Sequence, residues 1–129
     1  MIEIIPDLWI GRYKDINTSS IVLIDCYHDL DFITNSDDRI KYELVELYKY
    51  INSKIEFIHA KLNNNNTVII ACKTCTQLSP LVACCYLIRY GNMSIIDSLR
   101  AVKSKKHNVF EGRVMFSNIL DKIYQDNNK

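Results

Sequence analysis

The sequence predicts a three-layer α/β domain in which helices flank a small, mostly parallel central sheet. Short apolar segments typical of strands are concentrated in the first half of the chain, and helical patterns follow one another in the second half. Between them, residues 67–90 have the order expected of a buried strand, a loop and an apolar helix. A three-layer domain of this kind is built when strands are followed by a strand-loop-helix unit and then by further helices. At 129 residues, the chain is expected to form a single domain over residues 1–129.

The first third of the chain is predicted to consist of strands and loops. Residues 2–10 alternate weakly around Pro6, which indicates two short strands joined by a turn. The continuous apolar run at 21–24 predicts a strand that is buried on both faces of the sheet. Residues 25–39 are acidic and irregular, and their spacing favours a solvated loop over a metal site. Residues 40–45 alternate as a further strand would.

Helices are predicted from the spacing of apolar side chains. The apolar residues from Leu47 to Ile58 recur at helical intervals, which predicts one buried face on a helix over residues 46–62. The four asparagines that follow end it, because asparagine tolerates turn geometry. Three further helices are predicted: residues 79–90, apolar nearly all round and stopped by Gly91-Asn92; a helix from the N-cap Ser94 to about Lys103; and residues 111–124.

The composition is that of an ordinary globular protein. Hydrophobic residues make up 48% of the chain and charged residues 24%, and a net charge of +1 gives no general attraction to nucleic acid or membrane. No apolar run approaches the ~20 residues of a membrane span. Five cysteines without the spacing of a secreted framework favour a reducing compartment, so the protein is predicted to be intracellular, in the cytoplasm, the nucleus or both. Cys26, Cys84 and Cys85 are expected to be structural.

The candidate functional site is the junction between the predicted strand at 67–71 and the helix that opens at Ser79-Pro80. Backbone N–H groups and the positive end of the helix dipole collect at such a junction. These groups can hold an anion or lower the pKa of a thiol. Cys72 is the first residue of the loop, so the junction predicts a thiol beside an anion site.

This loop resembles the signature loop of the dual-specificity protein phosphatases, members of the cysteine-dependent protein tyrosine phosphatase superfamily. The family pattern is His-Cys, two residues, Gly, two residues, Arg-Ser, and often then Pro. Residues 71–80, ACKTCTQLSP, keep the Cys, the Ser and the Pro at the family spacing. Residues 4–11, IIPDLWIG, are similar to the opening hairpin of the family, and residues 87–107 resemble its later helices. The resemblance implies the family fold over nearly the whole chain, with Cys72 at the position of the nucleophile.

Several positions depart from the family pattern. Leu78 stands where the resemblance implies the arginine that clamps the phosphate oxygens, Cys75 where it implies the glycine, and Ala71 where it implies the histidine. An aliphatic side chain cannot replace a bidentate guanidinium that is always charged. The general-acid aspartate of the family lies between the strand predicted at 40–45 and the next helix. This chain leaves almost no loop there, and Glu46 is the nearest carboxylate.

The resulting prediction is a catalytically impaired or inactive dual-specificity-phosphatase-like protein, a pseudophosphatase, that acts by binding proteins or phosphoproteins. Weak cysteine-dependent phosphatase activity is the first alternative. The second is a thiol redox role, because Cys72 and Cys75 form a C-x-x-C motif; against it, the residues after 93 are predicted to be helical. No cofactor, metal or membrane partner is predicted, and nucleic acid is not favoured. The predicted site residues are Cys72 at the nucleophile position and a degenerate phosphate-binding loop of Ala71, Lys73, Thr74, Cys75, Thr76, Gln77, Leu78 and Ser79.

Two other features have ordinary explanations. A cluster of four basic residues would suit phosphate groups on protein or nucleic acid, but a solvated helix end favoured by the helix dipole is the commoner explanation. His59 falls between apolar positions of its helix and is expected at the surface or at the edge of the core. The basic residues are Lys103, Lys105, Lys106 and His107.

Overall fold

The computed structural model describes residues 2–12, 14, 22–26, 40–72, 77–111 and 117–128. Within these residues the chain forms a four-stranded mixed sheet flanked by helices, which confirms the predicted α/β class. The strands are β1 (Ile2–Ile5), β2 (Leu8–Arg12), β3 (Val22–Asp25) and β4 (Val68–Cys72), and the helices are α1 (Ile40–Asn63), α2 (Leu78–Gly91), α3 (Ile95–Lys105) and α4 (Ser117–Asn127).

The sheet combines one hairpin with parallel pairings. β1 and β2 form the antiparallel hairpin predicted around Pro6. Its turn places Asp7 at a left-handed φ of 69°, a conformation that a short polar side chain tolerates better than most. The Asp7 backbone N–H donates to Glu3 Oε2 at 3.0 Å. β2 and β3 each pair in parallel with β4, in the order β1-β2-β4-β3, so the sheet is mostly parallel as predicted.

β4 is the most buried strand of this sheet, and β3 is less buried than predicted. All five residues from Val68 to Cys72 are buried, because β2 and β3 flank β4 on its two sides. β3 has a single neighbour within the described sheet, and Leu23 is 39% exposed. The prediction that residues 21–24 are buried on both faces is therefore wrong. An apolar run indicates a strand but does not reveal how many neighbours the strand has.

α1 begins at Ile40, so the strand predicted at 40–45 is wrong. The whole segment to Asn63 is one helix of 24 residues. The apolar residues from Ile40 to Ile51 also recur at intervals of four and three, which is the helical period. Six residues are too few to distinguish the period of a strand from that of a helix. The longer pattern, which is helical, is the one that the structure follows.

The rest of α1 is as predicted, with one buried face and an asparagine turn at its end. Asn65 takes a left-handed φ of 64° in that turn. The four apolar residues of the buried face have no exposed surface; they are Leu47, Ile51, Ile55 and Ile58.

α2 is the central helix of the helical layer. The residues that were predicted to end α2 and to begin α3 are confirmed in those roles. Every residue from Ser79 to Ile88 is buried. Asn92 closes α2 with a left-handed φ of 54°. Ser94 is the N-cap of α3, since its Oγ accepts a hydrogen bond from the backbone N–H of Asp97 at 3.0 Å.

The last helix begins later than predicted. α4 runs over Ser117–Asn127, and Glu111, the predicted start, lies outside it. Residues 112–116 lie outside the described residues. The predicted apolar stripe is confirmed for Ile119, Leu120 and Ile123, which are buried.

The main core lies between the helices and one face of the sheet. Val68, Ile70 and Cys72 belong to this core together with the buried faces of the helices. Ile69 and Ala71, which alternate with them along β4, are also buried, so both faces of β4 are covered. Across the described ranges, no helix is both long and apolar enough to cross a membrane.

Cys84 and Cys85 are core residues of α2, as predicted. Burial raises the pKa of Cys84 to about 12 and raises that of Cys85 well above its ordinary value. The Cys84 thiol donates a hydrogen bond to the carbonyl of Ser98 on α3 at 3.7 Å. Both side chains are therefore neutral near physiological pH and act as small apolar groups.

Ser94→Ala is expected to lower the free energy of unfolding by about 1 kcal/mol, because it removes the acceptor that caps α3. Urea titration followed by circular dichroism measures this loss. The control is Ser104→Ala, which removes an exposed hydroxyl bonded to the Ala101 carbonyl in the same helix. The control should cost much less, and equal losses in the two variants would contradict the capping role.

The free energy of unfolding should fall as the pH rises from 9 toward 12. The Cys84 thiol, with an ordinary pKa of 9.0, ionises over this range in the unfolded chain, but its pKa of about 12 keeps it protonated in the folded protein. The folded state then binds more protons, so a contribution that is complete below pH 9 is lost above it. Cys84→Ala should make the slope shallower by up to about 1.4 kcal/mol per pH unit.

Val82→Ala is the matched control, since it truncates a buried residue of the same helix that does not ionise. It should lower stability by the same amount at every pH. Parallel stability curves for the wild type and Cys84→Ala would contradict the prediction.

Candidate functional site

The candidate site lies where β4 ends and α2 begins. β4 extends to Cys72, one residue further than predicted, and α2 begins at Leu78. Residues 73–76, which join them, lie outside the described residues. Cys72 is only 3% exposed because it is the last residue of a strand that is buried along its length. The packing of β4 therefore fixes the position of the thiol.

Cys72 and Ser79 contact each other across the junction. Cys72 Sγ lies 3.0 Å from Ser79 Oγ, and either group can be the donor. Ser79 is the second residue of α2 and has no exposed surface. When the hydroxyl donates to the sulfur, it favours the thiolate over the thiol. Two residues that the sequence singled out seven positions apart thus form one buried pair.

The amino end of α2 favours a negative charge. Gln77 precedes the helix, and its side chain makes no capping hydrogen bond. The first turn contains no acidic residue that would offset the positive end of the helix dipole. Helix starts of this kind bind phosphate and other anions through their backbone N–H groups. α2 therefore places an anion-stabilising element next to Cys72.

Leu78, where the resemblance implies an arginine, is the first residue of α2. Its side chain is partly buried and packs against the apolar core. A leucine side chain has neither a charge nor a hydrogen-bond donor. The side chain therefore contributes packing to the junction and no electrostatic stabilisation of a bound anion.

The structure brings together five of the nine predicted site residues. Ala71 and Cys72 end β4, Gln77 is the N-cap of α2, and Leu78 and Ser79 are its first two residues. The predictions for Lys73, Thr74, Cys75 and Thr76 lie outside the described residues, and so does the second cysteine of the C-x-x-C motif.

Glu46 does not lie in a catalytic loop. It is a partly buried residue of α1. Because residues 40–45 are helical, the inference that a loop between a strand and a helix has been shortened is wrong. A loop ahead of α1 would precede residue 40 and so falls outside the described residues. In the part of the chain that the structure describes, no three His, Cys, Asp or Glu side chains are grouped so as to hold a metal ion.

Sequence reasoning missed an aromatic cluster between α1 and α2. The His59 ring stacks on Tyr90 with 4.0 Å between ring centroids and 9° between planes, and His59 Nδ1 lies 3.2 Å from the Tyr86 hydroxyl. Burial raises the pKa of both tyrosines. The spacing of Tyr86 and Tyr90, four residues apart on one helix face, was the available signal. His59 is partly buried, which confirms the prediction of a core-edge histidine.

The basic cluster lies at the end of α3 and in the turn that follows. Lys103 Nζ donates to the carbonyl of Val109 at 2.9 Å, and Lys106 Nζ donates to Asn108 Oδ1 at 2.7 Å. These contacts connect the helix end to the next turn. They favour the structural explanation of the cluster over a phosphate-binding surface.

The fold is shared with solved structures of phosphatases and of a phosphatase-like protein. A mouse putative dual specificity phosphatase complexed with zinc tungstate has a TM-score of 0.76 and 17% identity, covering 97% of this chain and 86% of that chain. The human tyrosine phosphatase-like serine/threonine/tyrosine-interacting protein has a TM-score of 0.75 and 16% identity, covering 100% and 98%. A leucine rich repeat and phosphatase domain containing protein from Entamoeba histolytica has a TM-score of 0.74 and 19% identity, covering 98% and 92%. Because these identities are below 20%, the three likenesses establish a common fold and nothing about activity.

The family follows from the sequence match. No curated protein matches the chain. Residues 14–125, most of the chain, match the family model of the dual specificity phosphatase catalytic domain. Together with the shared fold and the placement of Cys72 beside Ser79, this match means that the chain belongs to the dual-specificity phosphatase family of the cysteine-dependent protein tyrosine phosphatase superfamily.

Proposed function

We propose that this chain is a pseudophosphatase that binds phosphorylated segments of proteins inside the cell and does not hydrolyse them at an enzymatic rate. The observation that carries the proposal is Leu78. It is the first residue of α2, and it packs on the core where a phosphatase needs a charged clamp.

Hydrolysis of a phosphate monoester by a cysteine has three requirements. The thiol must be ionised, donors must hold the three phosphate oxygens, and an acid must protonate the leaving alkoxide. An arginine meets the second requirement with two parallel, charge-assisted hydrogen bonds that strengthen as charge develops in the transition state. Leu78 supplies none of these bonds. Loss of one well-placed donor commonly costs about 10²–10³ in rate, and loss of a charged, bidentate donor should cost at least as much.

The sequence of the loop adds two further deficits. Cys75 replaces the family glycine and Ala71 replaces the histidine that helps to poise the thiolate. A side chain at the glycine position favours a different loop conformation if φ there is positive. Catalytic groups that act as a unit lose function together, so these deficits reinforce the loss of the clamp.

The polar groups that the junction retains support binding of an anion. Cys72 and Ser79 form a buried polar pair, and the start of α2 is free of acidic side chains. Backbone N–H groups at a helix start bind anions without any arginine. A phosphorylated side chain is the ligand that matches these groups and the family to which the chain belongs.

Two neighbours in the fold comparison are consistent with this proposal. The human neighbour is named a tyrosine phosphatase-like, serine/threonine/tyrosine-interacting protein, a name that describes interaction. The mouse neighbour is complexed with zinc tungstate, and tungstate is an oxyanion. Both likenesses are below 20% identity, so they support the proposal by analogy of fold.

A weakly active phosphatase is the second candidate function, and the Cys72–Ser79 contact at 3.0 Å favours it. The hydroxyl beside the thiol is the part of the machinery that the chain has kept. A thioredoxin-like enzyme is less favoured, because such a domain needs strands after α2, and the described residues after α2 form the helices α3 and α4.

Purified protein is expected to release no phosphate above background from aryl phosphates or phosphotyrosine peptides, because Leu78 leaves the transition state without its clamp. Phosphate release is measured for the wild type and for Cys72→Ser, which should be indistinguishable. Robust release by the wild type that disappears in Cys72→Ser would overturn the proposal in favour of the second candidate.

The wild type should bind a phosphotyrosine peptide more tightly than the matched unphosphorylated peptide, and Leu78→Arg should widen that difference. A hydrogen bond to a charged group contributes about 1.5–3 kcal/mol, which corresponds to about 10- to 100-fold in affinity. Turnover should nevertheless stay below the ordinary enzymatic range of ~1–10³ s⁻¹, since Ala71 and Cys75 are unchanged. Isothermal titration calorimetry measures the affinities.

Leu78→Met is the matched control, because it keeps the volume of the side chain and adds no charge. It should leave the affinity of both peptides unchanged. Equal binding of phosphorylated and unphosphorylated peptides by the wild type and by Leu78→Arg would exclude the loop as a phosphate site. Recovery of an ordinary rate by Leu78→Arg would show that the arginine was the sole deficit.

A further inference from the structure

An arginine lies beside Cys72 at one edge of the sheet. β2 and β4 pair in parallel from Leu8 opposite Val68 to Arg12 opposite Cys72, and Arg12 and Cys72 are the last residues of their strands. Neighbouring strands lie about 4.7–4.9 Å apart, so the backbones of these two residues are adjacent. The carboxyl ends of parallel strands meet at the edge where open α/β sheets bind ligands.

The side chain of Arg12 leaves the sheet on the face that carries Cys72. Side chains alternate along a strand, so Arg12 shares a face with Ile10, and Cys72 shares a face with Ile70. Ile10 and Ile70 are register partners, and both belong to the core between the sheet and the helices. Arg12 therefore points toward the helical layer. Its side chain is exposed, in contrast to the buried thiol of Cys72.

The start of α2 adjoins the same two strands. α2 contacts both β2 and β4, and Ser79 Oγ, in its first turn, lies 3.0 Å from Cys72 Sγ. That first turn contains no acidic side chain. Asp25, the carboxylate that ends β3, lies opposite Ala71 and so on the other face of the sheet. Of the two charged residues that end β2 and β3, Arg12 is thus the one that shares a face with Cys72.

We propose that Arg12 supplies the positive charge of the anion site at Cys72, in place of the charge that Leu78 lacks. This role rests on the proposed function for the identity of the ligand, a phosphorylated segment of a protein. Arginine is always charged, and its planar guanidinium donates two parallel hydrogen bonds to a phosphate group. The start of α2 holds the phosphate from one side through its backbone N–H groups, and Arg12 holds it from the side of β2.

The position of Arg12 suits binding better than catalysis. Arg12 projects from a strand beside the junction, whereas the arginine of the family stands at the position of Leu78, at the start of α2. Water screens the charge of an exposed guanidinium more than that of a buried one. An interaction that is equally strong with the bound ligand and with the transition state raises affinity and leaves the rate constant unchanged. Arg12 is therefore expected to strengthen phosphate binding without restoring turnover.

Alkylation of Cys72 measures this charge without any phosphate. Iodoacetate and iodoacetamide both react with the thiolate, but only iodoacetate is an anion, so the ratio of the two rates reports the electrostatic potential at the sulfur. Folded protein is alkylated for increasing times and then denatured, and its remaining thiols are blocked with a second reagent. Trypsin cleavage after lysine and arginine leaves Cys72 as the single cysteine of the peptide 62–73, whose mass gives the extent of reaction.

Arg12→Gln is expected to lower the ratio of the iodoacetate rate to the iodoacetamide rate by about fivefold, the effect of one unit charge about 4 Å away in water. Arg12→Lys should keep most of the ratio, because the charge remains. Arg100→Gln is the matched control, since it removes the same charge from an exposed residue of α3, the helix that contacts the edge strand β1. It should leave the ratio unchanged. The thiolate fraction cancels in the ratio, so a change in the pKa of Cys72 would not imitate the result.

Titration calorimetry with a phosphotyrosine peptide gives a second measurement, which decides the question if burial keeps Cys72 from reacting. Arg12→Gln should weaken binding of this peptide about tenfold, the lower end of what a hydrogen bond to a charged group contributes, and should not affect the unphosphorylated peptide. An alkylation ratio and a phosphopeptide affinity that are both unchanged in Arg12→Gln would overturn the role of Arg12. A lowered ratio in a protein whose wild type does not prefer the phosphopeptide would support the charge of Arg12 at Cys72 and overturn the proposed function instead.

Discussion

The burial of β4 on both faces is the constraint on which the rest of the structure depends. β2 and β3 flank this strand, and the apolar core of the helices covers the face that carries Val68, Ile70 and Cys72. Burial of a large aliphatic side chain contributes about 1.5–3 kcal/mol, so a shift of β4 would forfeit several such contributions. The strand is therefore fixed, and its last residue, Cys72, is fixed with it. Apolar packing of β4, rather than polar contacts, therefore fixes the position of the site.

Leu78 connects the packing of the core with the proposed loss of catalysis. An arginine at the start of α2 would have to keep a charge near the core, which is costly unless an anion or an acidic partner is bound. A leucine contributes apolar contact at the same place whether or not a ligand is present. In the function proposed here, the junction lacks the transition-state stabilisation of an arginine and keeps a helix start that can hold an anion. This combination is what the proposed binding role needs.

The sequence predicts the fold well where a single pattern is long or carries a specific cap. α2 is apolar all round, and Ser94 caps α3, so both helices are found where they were expected. Prediction failed where a pattern was short. The alternation at 40–45 matched a strand, but the segment is the first part of α1, and the inference about a shortened acid loop failed with it.

Relations across strands lie beyond this kind of prediction. The apolar run at 21–24 does not indicate that β3 has one neighbour in the described sheet. Nor does any sequence signal place Val22 opposite Val68, because the register of β3 and β4 depends on the packing of the whole sheet. The pair formed by Cys72 and Ser79 is different, since its spacing is contained in one family motif. The predictions for residues 73–76 stay predictions.

Phosphorus NMR of a phosphotyrosine peptide mixed with excess protein tests most directly whether this domain binds phosphate without hydrolysing it. The phosphorus signal of the peptide should shift or broaden as the peptide binds, and its total intensity should stay constant over hours. Cys72→Ser should give the same constancy of intensity. Conversion of the peptide signal into that of inorganic phosphate by the wild type, and its absence in Cys72→Ser, would contradict the proposal that this chain is a pseudophosphatase.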